Sequence, residues 1–469
     1  MSQRFDFAVI GAGSAGLVAA VAAANFGQKV VLFESGRMGG ECLNTGCVPS
    51  KALLAAAKSA AACRQAARFG VFAEPRIDAD AVRAHVRRVI DTIAPHDSQE
   101  RMESLGITVV RAPARFRDAA TLEAAGRHYT ARRIVIATGS RPAFPAIPGL
   151  AGTPFLTNES LFDLAVLPQH LIVIGGGPIG VEMAQAHRRL GSDVTILEAA
   201  GLLGRDDPEL TRVVVDRLME EGVSIRDKTT IASISQSARG FDVRLGDGTV
   251  VAGSHLLVAA GRRPNTDNLN LATAAVSFTP KGITVDKRLR TTNPRVYAIG
   301  DCNGGPQFTH AAGHQAGLVI RHALFRLPVD AAKVVMPRVT YSDPELAQAG
   351  LTEAEARAQL GDAVTVLRRP FATNDRAVAE ADTQGLVKIV AGRRGRILGV
   401  GIVGAQAGDL IQPWLVAMNN GLSLRAMLAT LPPYPTRGEA GRQAALDYFG
   451  GFASNPWVRH VIEVLGRFG

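Results

Sequence analysis

Two glycine-rich turns of one design constrain this chain more than any other feature. The first follows a short apolar run, Phe5 to Ile10. Gly11-Ala12-Gly13-Ser14-Ala15-Gly16 opens an alanine-rich stretch from Leu17 to Phe26, and Val30 to Phe33 then leads into Glu34. The second runs from Leu171 to Ile174, through Gly175-Gly176-Gly177-Pro178-Ile179-Gly180 and the stretch Val181 to Leu190, to Val194–Leu197 and Glu198. Gly11 to Glu34 and Gly175 to Glu198 have the same separation. Short apolar runs bounded by glycine predict buried parallel strands. The glycines permit the turn and a close backbone approach to a pyrophosphate at a helix N-terminus, and the acid accepts from ribose hydroxyls. A strand–turn–helix–strand–acid context makes this fingerprint specific. Two nucleotide sites of one design imply two different nucleotides, an electron donor and an electron carrier.

The chemistry concentrates in Gly39-Gly40-Glu41-Cys42-Leu43-Asn44-Thr45-Gly46-Cys47-Val48-Pro49-Ser50-Lys51, which holds two of the four cysteines. Their spacing predicts a small closed loop, with Asn44 and Gly46 supplying the tight turning. Ala52 to Ala62 reads as a helix, and Pro49 suits its first turn, where a missing N–H costs nothing. Cys47 therefore falls at or just before a helix N-terminus, where the dipole and free N–H groups favour a thiolate. A thiolate with a second cysteine in reach makes a redox pair. A structural disulfide closing so short a loop would add little stability. A zinc site needs further ligands, and no His or Cys cluster lies nearby, so no metal site is expected.

The 469 residues suit about three domains. Four cysteines in such a length make no disulfide framework, which points to a reducing, cytoplasmic compartment. The net charge of +10 is spread without blocks of like charge, and aromatics are 5%, too few for a base-stacking surface. Nucleic-acid binding is not expected, while steering of anionic substrates or acidic partners is compatible. Phe7 to Gly27 is uncharged and nears a membrane span in length, yet Gly11, Gly13, Ser14 and Gly16 break it and Asp6 precedes it. Neither a span, a cleaved signal nor a membrane contact is expected.

Further along, Arg133 to Ala137 runs into Thr138-Gly139-Ser140-Arg141-Pro142, and Leu256 to Ala260 into Gly261-Arg262-Arg263-Pro264-Asn265. Val296 to Ile299 delivers Gly300-Asp301, and Gln307-Phe308-Thr309-His310-Ala311-Ala312 opens another helix. From about Pro337 a mixed strand and helix pattern carries no nucleotide motif. With the cysteine motif, these segments make nearly the whole chain resemble the class I pyridine nucleotide-disulfide oxidoreductases, in particular their mercuric reductase-like and dihydrolipoyl dehydrogenase-like members.

The resemblance implies an α/β chain of two Rossmann-like dinucleotide-binding domains plus a C-terminal α+β dimerisation domain. FAD is expected in residues 1–148 and 267–333, NAD(P)H in 149–266, and a homodimer through 334–469. By the same resemblance FAD sits at Gly11, Gly13, Gly16, Glu34, Gly139 and Asp301, the aspartate on its ribityl chain. The nicotinamide nucleotide sits at Gly175, Gly177, Gly180, Glu198 and Gly261. A carboxylate at Glu198 suits the free 2′-hydroxyl of NADH, while Arg188, Arg189 and Arg205 keep NADPH open. Cys42 and Cys47 are implied to form a disulfide that opens to a dithiol, with Cys47 as the thiolate beside the flavin and Cys42 as the exchanging sulfur. Lys51 and Glu182 would pair beside the ring, where a fixed cation favours reduced flavin. Electrons would then leave for a small-molecule or protein disulfide, a thiophilic metal ion or another small acceptor. A dihydrolipoyl dehydrogenase is the alternative, and a flavoprotein donor or scaffold for a partner protein is another.

Disulfide-reducing members carry His-Pro-Thr and a following glutamate, given by the other subunit, the histidine being the acid–base for the outer thiol. Here the stretch is Tyr434-Pro435-Thr436-Arg437-Gly438-Glu439. Proline, threonine and Glu439 match, whereas Tyr434 is a poor proton acceptor near neutral pH. Residues 455–469 hold no cysteine, unlike the metal-passing tail of mercuric reductase. Trp457, Val458, Val461, Ile462 and Leu465 form an apolar helical stripe expected at the dimer edge. Cys63 and Cys302 are expected to pack rather than react.

Overall fold

In the computed structural model, which describes residues 3–238, 240–453 and 455–468, the first apolar run is an inner strand of a mixed sheet whose inner pairings are parallel and whose far edge, Thr121–Ala124 and Arg115–Phe116, is antiparallel. Gln3–Ile10 pairs with Val30–Phe33 on one side and Arg127–Ile136 on the other. Thr108–Val110 and Val296–Ala298 extend the sheet outward, both parallel. The first fingerprint helix is Ser14–Asn25, with Gly13 as its N-cap, so it begins inside the glycine motif rather than after it. Its Ala15, Ala19 and Ala23 share a core with Ala312, Ala316 and Val319 of the helix Thr309–Phe325. Small residues on both helices let the two backbones approach.

The second module repeats the rule. His170–Ile174 lies between Asp193–Leu197 and His255–Val258, all parallel. The fingerprint helix Pro178–Arg189 starts with proline, which is preorganised for a first helical position. A three-stranded antiparallel sheet, Ile231–Ser237, Gly240–Leu245 and Val250–Gly253, covers one face through Ile234, Phe241 and Val243. The two strand-to-glycine connections meet: Ser140–Pro142 pairs antiparallel with Arg262–Pro264.

The C-terminal module is a five-stranded antiparallel sheet in the order Arg338–Thr340, Glu345–Gly350, Ile397–Gly404, Leu386–Ala391, Thr365–Pro370. Trp414, Ala440 and Ala444 pack its core. It is locked to the second module by charge. Lys388, only 4% exposed, sets its ammonium 2.8 Å from Asp207, 2.8 Å from Glu209 and 2.9 Å from Glu353. A buried ammonium is tolerable only when carboxylates satisfy it in this way. The terminal helix Pro456–Leu465 buries none of its residues within the chain, and Trp457 is 73% exposed. Among the described residues, no helix is long and apolar enough to cross a membrane.

Candidate active site

The glycine turns are sterically obligatory. At Gly11 φ is +104°, and a Cβ there would lie 2.4 Å from the Ala137 carbonyl oxygen; one on Gly16 would lie 1.8 Å from that of Gly11. Gly175 and Gly180 repeat both contacts, at 2.5 Å from Ala259 and 1.9 Å from Gly175. Gly13 and Gly177 are N-caps without a side-chain cap, so each helix presents its first N–H groups to an anion. The residues present at both turns fit a pyrophosphate held against a helix N-terminus. Glu34 accepts from the N–H of Ala12 at 2.7 Å and of Gly36 at 2.6 Å. Glu198 accepts from Gly176 at 2.6 Å and Ala200 at 2.7 Å. Each acid holds its own glycine turn in shape, with acceptor sites to spare for a hydroxyl.

The segment between the cysteines differs from the loop that the sequence predicts. Gly39 and Gly40 are left-handed, at φ +84° and +60°, and Gly40–Asn44 winds into a short helix carrying Cys42. Asn44 does not bend the chain; its Nδ2 donates to the carbonyls of Met38 at 2.9 Å and Gly40 at 2.7 Å and fastens that turn. A Cβ on Gly40 would stand 2.6 Å from the Cα of Gly13, so this segment rests directly on the first fingerprint. Cys47 is the first residue of the helix Cys47–Gln65. Both cysteines are free thiols. The Thr309 hydroxyl lies 3.4 Å from each sulfur. The hydrogen bond from Cys42, helped by Thr309 and the Lys51 charge, pulls the Cys47 thiol down to about 6. The same bond, with burial, pushes Cys42 well up. Cys47 is therefore the thiolate of the pair and Cys42 keeps the proton.

Lys51 Nζ donates to Glu182 at 2.8 Å and lies 4.5 Å from the centre of the Tyr341 ring. The other Glu182 oxygen accepts from the Tyr341 N–H at 2.9 Å. One ion pair thus joins the cysteine helix, the second fingerprint helix and the C-terminal module. Gly139 and Gly261 are both left-handed, at φ +68° and +131°, and stand at the paired connections. Beside them, joined to Asp301, lies a cluster that the sequence did not point to: Glu41, Ser140, Asn158 and Arg262. Arg262 forks onto both oxygens of Glu41, with one arm at 2.6 Å, and donates through Nε to Ser140 Oγ at 2.8 Å. Ser140 in turn donates to Asp301 at 2.5 Å, and Asn158 donates to Glu41 at 2.6 Å. Burial raises the Glu41 carboxyl in spite of Arg262. The available signal was an acid next to Cys42 and an arginine next to Gly261.

Tyr434 and Glu439 make their bonds within the C-terminal module, apart from this constellation. The Tyr434 hydroxyl donates to Asp375 at 3.0 Å, which raises its pKa, and the ring is 71% exposed. Glu439 accepts from the Thr436 N–H at 3.2 Å. Cys302 is fully buried, its thiol donating to the carbonyls of Ile299 and Ile136, and Cys63 is half-buried in its helix.

Comparison with known proteins agrees with this geometry. Residues 5–316 match the pyridine nucleotide-disulphide oxidoreductase family, and residues 336–445 match its dimerisation domain. The chain is 36% identical to a mercuric reductase of Streptomyces lividans, over 95% of this chain and 96% of that protein. It is 34% identical to a dihydrolipoyl dehydrogenase of Geobacillus stearothermophilus, over 93% and 94%. Among solved structures, LpdA of Mycobacterium tuberculosis aligns with a TM-score of 0.88 at 27% identity, over 95% of this chain and 99% of that one. The HOCl-induced flavoprotein disulfide reductase RclA of Escherichia coli, solved as a Cu(II) complex, aligns with a TM-score of 0.85 at 28% identity, over 93% and 99%. With these matches over nearly its whole length, the chain belongs to the pyridine nucleotide-disulphide oxidoreductases and is an FAD-dependent, NAD(P)H-linked disulfide oxidoreductase.

Proposed function

We propose that the chain works as a homodimer that takes electrons from NADH in preference to NADPH and delivers them through Cys47 and Cys42 to a disulfide, a thiophilic metal ion or another small acceptor. The observation that carries this reading is Cys47 at the first position of its helix, with Cys42, Thr309 and the Lys51–Glu182 pair around it. Gly11, Gly13, Gly16, Glu34, Gly139 and Asp301 would hold FAD, and Gly175, Gly177, Gly180, Glu198 and Gly261 the nicotinamide nucleotide. Bound FAD supplies the two-electron exchange between nicotinamide and sulfur. Lys51 contributes a fixed positive charge beside Cys47, and the Glu182 carboxylate keeps that ammonium in place. The helix N-terminus and Lys51 hold Cys47 as thiolate, while protonated Cys42 is the sulfur that meets the acceptor.

Two features refine the substrates. Arg188 is engaged with the Glu221 carbonyl and Asp193, and Arg189 with Glu221 and Asp343, so both are committed away from Glu198. This supports NADH over NADPH, because a carboxylate there repels a 2′-phosphate. Tyr434, held by Asp375, is a hydrogen-bond donor rather than a base, which favours metal ions and small acceptors over lipoamide. The relatives named mercuric reductase support a thiophilic acceptor, and the dihydrolipoyl dehydrogenases support the second reading, oxidation of a dithiol.

Anaerobic titration of the holoenzyme with NADH and with NADPH, followed by lipoamide, glutathione disulfide, Hg(II), Cu(II) and quinones, tests the proposal. Turnover should favour NADH and vanish in Cys42→Ala. Turnover that survives in Cys42→Ala means the flavin alone reduces the acceptor, and fast lipoamide turnover overturns the argument from Tyr434.

A further inference from the structure

The acid–base group for the outer sulfur is missing from its usual place in the sequence, yet the cysteine pair still needs one. Before Cys42 can attack an acceptor disulfide, its S–H bond must break and the proton must go elsewhere. Cys47, the thiolate, is the adjacent base. When the proton crosses, an S–H bond forms on Cys47 and the negative charge moves to Cys42. The Cys42 thiolate then attacks, one acceptor sulfur leaves as thiolate, and Cys47 closes the internal disulfide as its proton passes to the second leaving sulfur. The dithiol loses two electrons and the acceptor disulfide gains them.

We propose that the hydroxyl of Thr309 is a catalytic donor shared by the two sulfurs, turning from Cys47 to Cys42 as the charge moves, so that it stabilises whichever sulfur is the thiolate. Thr309 is the first residue of the helix Thr309–Phe325. Its Oγ lies 3.4 Å from Cys47 Sγ, where either atom can donate, and 3.4 Å from Cys42 Sγ, to which it donates. A hydroxyl has one proton and rotates freely, so it serves one sulfur at a time and either at equal distance. Hydrogen bonding to the charged form lowers a thiol's pKa, and Thr309 acts in that direction on both cysteines.

The other groups around the pair are committed or one-sided. The Lys51 ammonium is bound to Glu182 and sits over Tyr341. Glu41 is held by Arg262 and Asn158. His310 places Nε2 2.9 Å from the Pro337 carbonyl oxygen. Ser14 assists Cys42. Among the described residues, Thr309 is the hydroxyl that reaches both sulfurs.

This inference rests on the redox-pair reading of Cys42 and Cys47, and its test is separable from it. The anaerobically reduced holoenzyme is alkylated with iodoacetamide across a pH series, and labelling of each cysteine is followed by mass spectrometry. Thr309→Val removes the hydroxyl and keeps the shape; Thr309→Ser keeps the hydroxyl. In Thr309→Val the Cys47 midpoint should rise by about one unit, and Cys42 labelling at neutral pH should fall about tenfold, the worth of one hydrogen bond to a charged group. Disulfide turnover should fall about as far, and Thr309→Ser should restore all three. If Thr309→Val does not fold, Thr309→Ala against Thr309→Ser makes the same comparison. Unchanged titration of both thiols without the hydroxyl, or a serine variant that behaves like the valine one, overturns the proposal. Turnover that persists in Cys42→Ala would instead refute the redox-pair reading, whatever the alkylation profiles show.

Discussion

Gly16→Ala and Gly180→Ala make one perturbation at two places and so test which cradle takes which nucleotide. The new methyl would lie 1.8 Å from the Gly11 carbonyl oxygen in the first case and 1.9 Å from that of Gly175 in the second. A carbon–oxygen contact relaxes near about 3.3 Å, so each helix must retreat from its strand by about 1.5 Å. The oxygens belong to backbone and cannot swing aside. The helices are pinned by close-packed cores, so the upper range for overpacking applies, about 3 kcal/mol. If that strain is relieved by displacing the first-turn N–H groups, the nucleotide at that cradle binds about 100-fold more weakly. FAD retained per protein after gel filtration, and NADH affinity by fluorescence, read the two effects. Gly16→Ala should lose FAD; Gly180→Ala should keep FAD and lose NADH affinity. Gly177→Ala is the control for folding, since φ is −74° and nothing lies within 4 Å of its added methyl. Wild-type NADH affinity in Gly180→Ala, or loss of FAD from Gly180→Ala rather than Gly16→Ala, would refute the steric argument or the assignment.

Lys51→Met removes a charge that lowers Cys47, so the pH midpoint of Cys47 alkylation should move up from about 6, and less thiolate should remain on the acid side of neutrality; an unmoved midpoint would show that the helix and Thr309 suffice. Lys388→Met strips the cation from Asp207, Glu209 and Glu353 and should weaken the junction by about 3–5 kcal/mol, seen as faster hydrogen exchange in 208–220 and 386–391. Glu353 is pulled down to about 2, mainly by Lys388 and Arg357 against its desolvation, so its contribution is present above the ordinary glutamate value and is lost as pH falls from there towards 2. Acid sensitivity of that exchange should therefore flatten in Lys388→Met, and parallel pH profiles for the two proteins would count against the cluster as a latch.

The sequence was legible where a residue's role is local. Gly11, Gly16, Gly175 and Gly180 answer to backbone contacts a few residues away or on the next strand, and spacing alone exposes them. Cys47 at a helix start and Lys51 one turn later are equally local. What escaped depends on partners far along the chain. Glu41 meets Arg262 across 221 positions, and Thr309 meets Cys47 across 262, so no periodicity connects them. Asn44 suggested a bend by its turn propensity, but two carbonyl acceptors were available and it tied down the start of a short helix from within instead. Lys388 lies in an apolar strand where a lone lysine looks like a flaw until the three carboxylates from elsewhere surround it.

The ribbon formed by Ser140–Pro142 and Arg262–Pro264 also bears on how such a chain can be built. The segment 143–261 departs from the first module and comes back to it along adjacent antiparallel strands, so its two ends are neighbours. A unit inserted with its ends side by side can be spliced into a host at a single peptide bond without disturbing the host sheet. Duplication of one unit into a loop of its sibling would leave this mark, and the same hinge of two strands is where a chimaera with a foreign unit could be cut and joined.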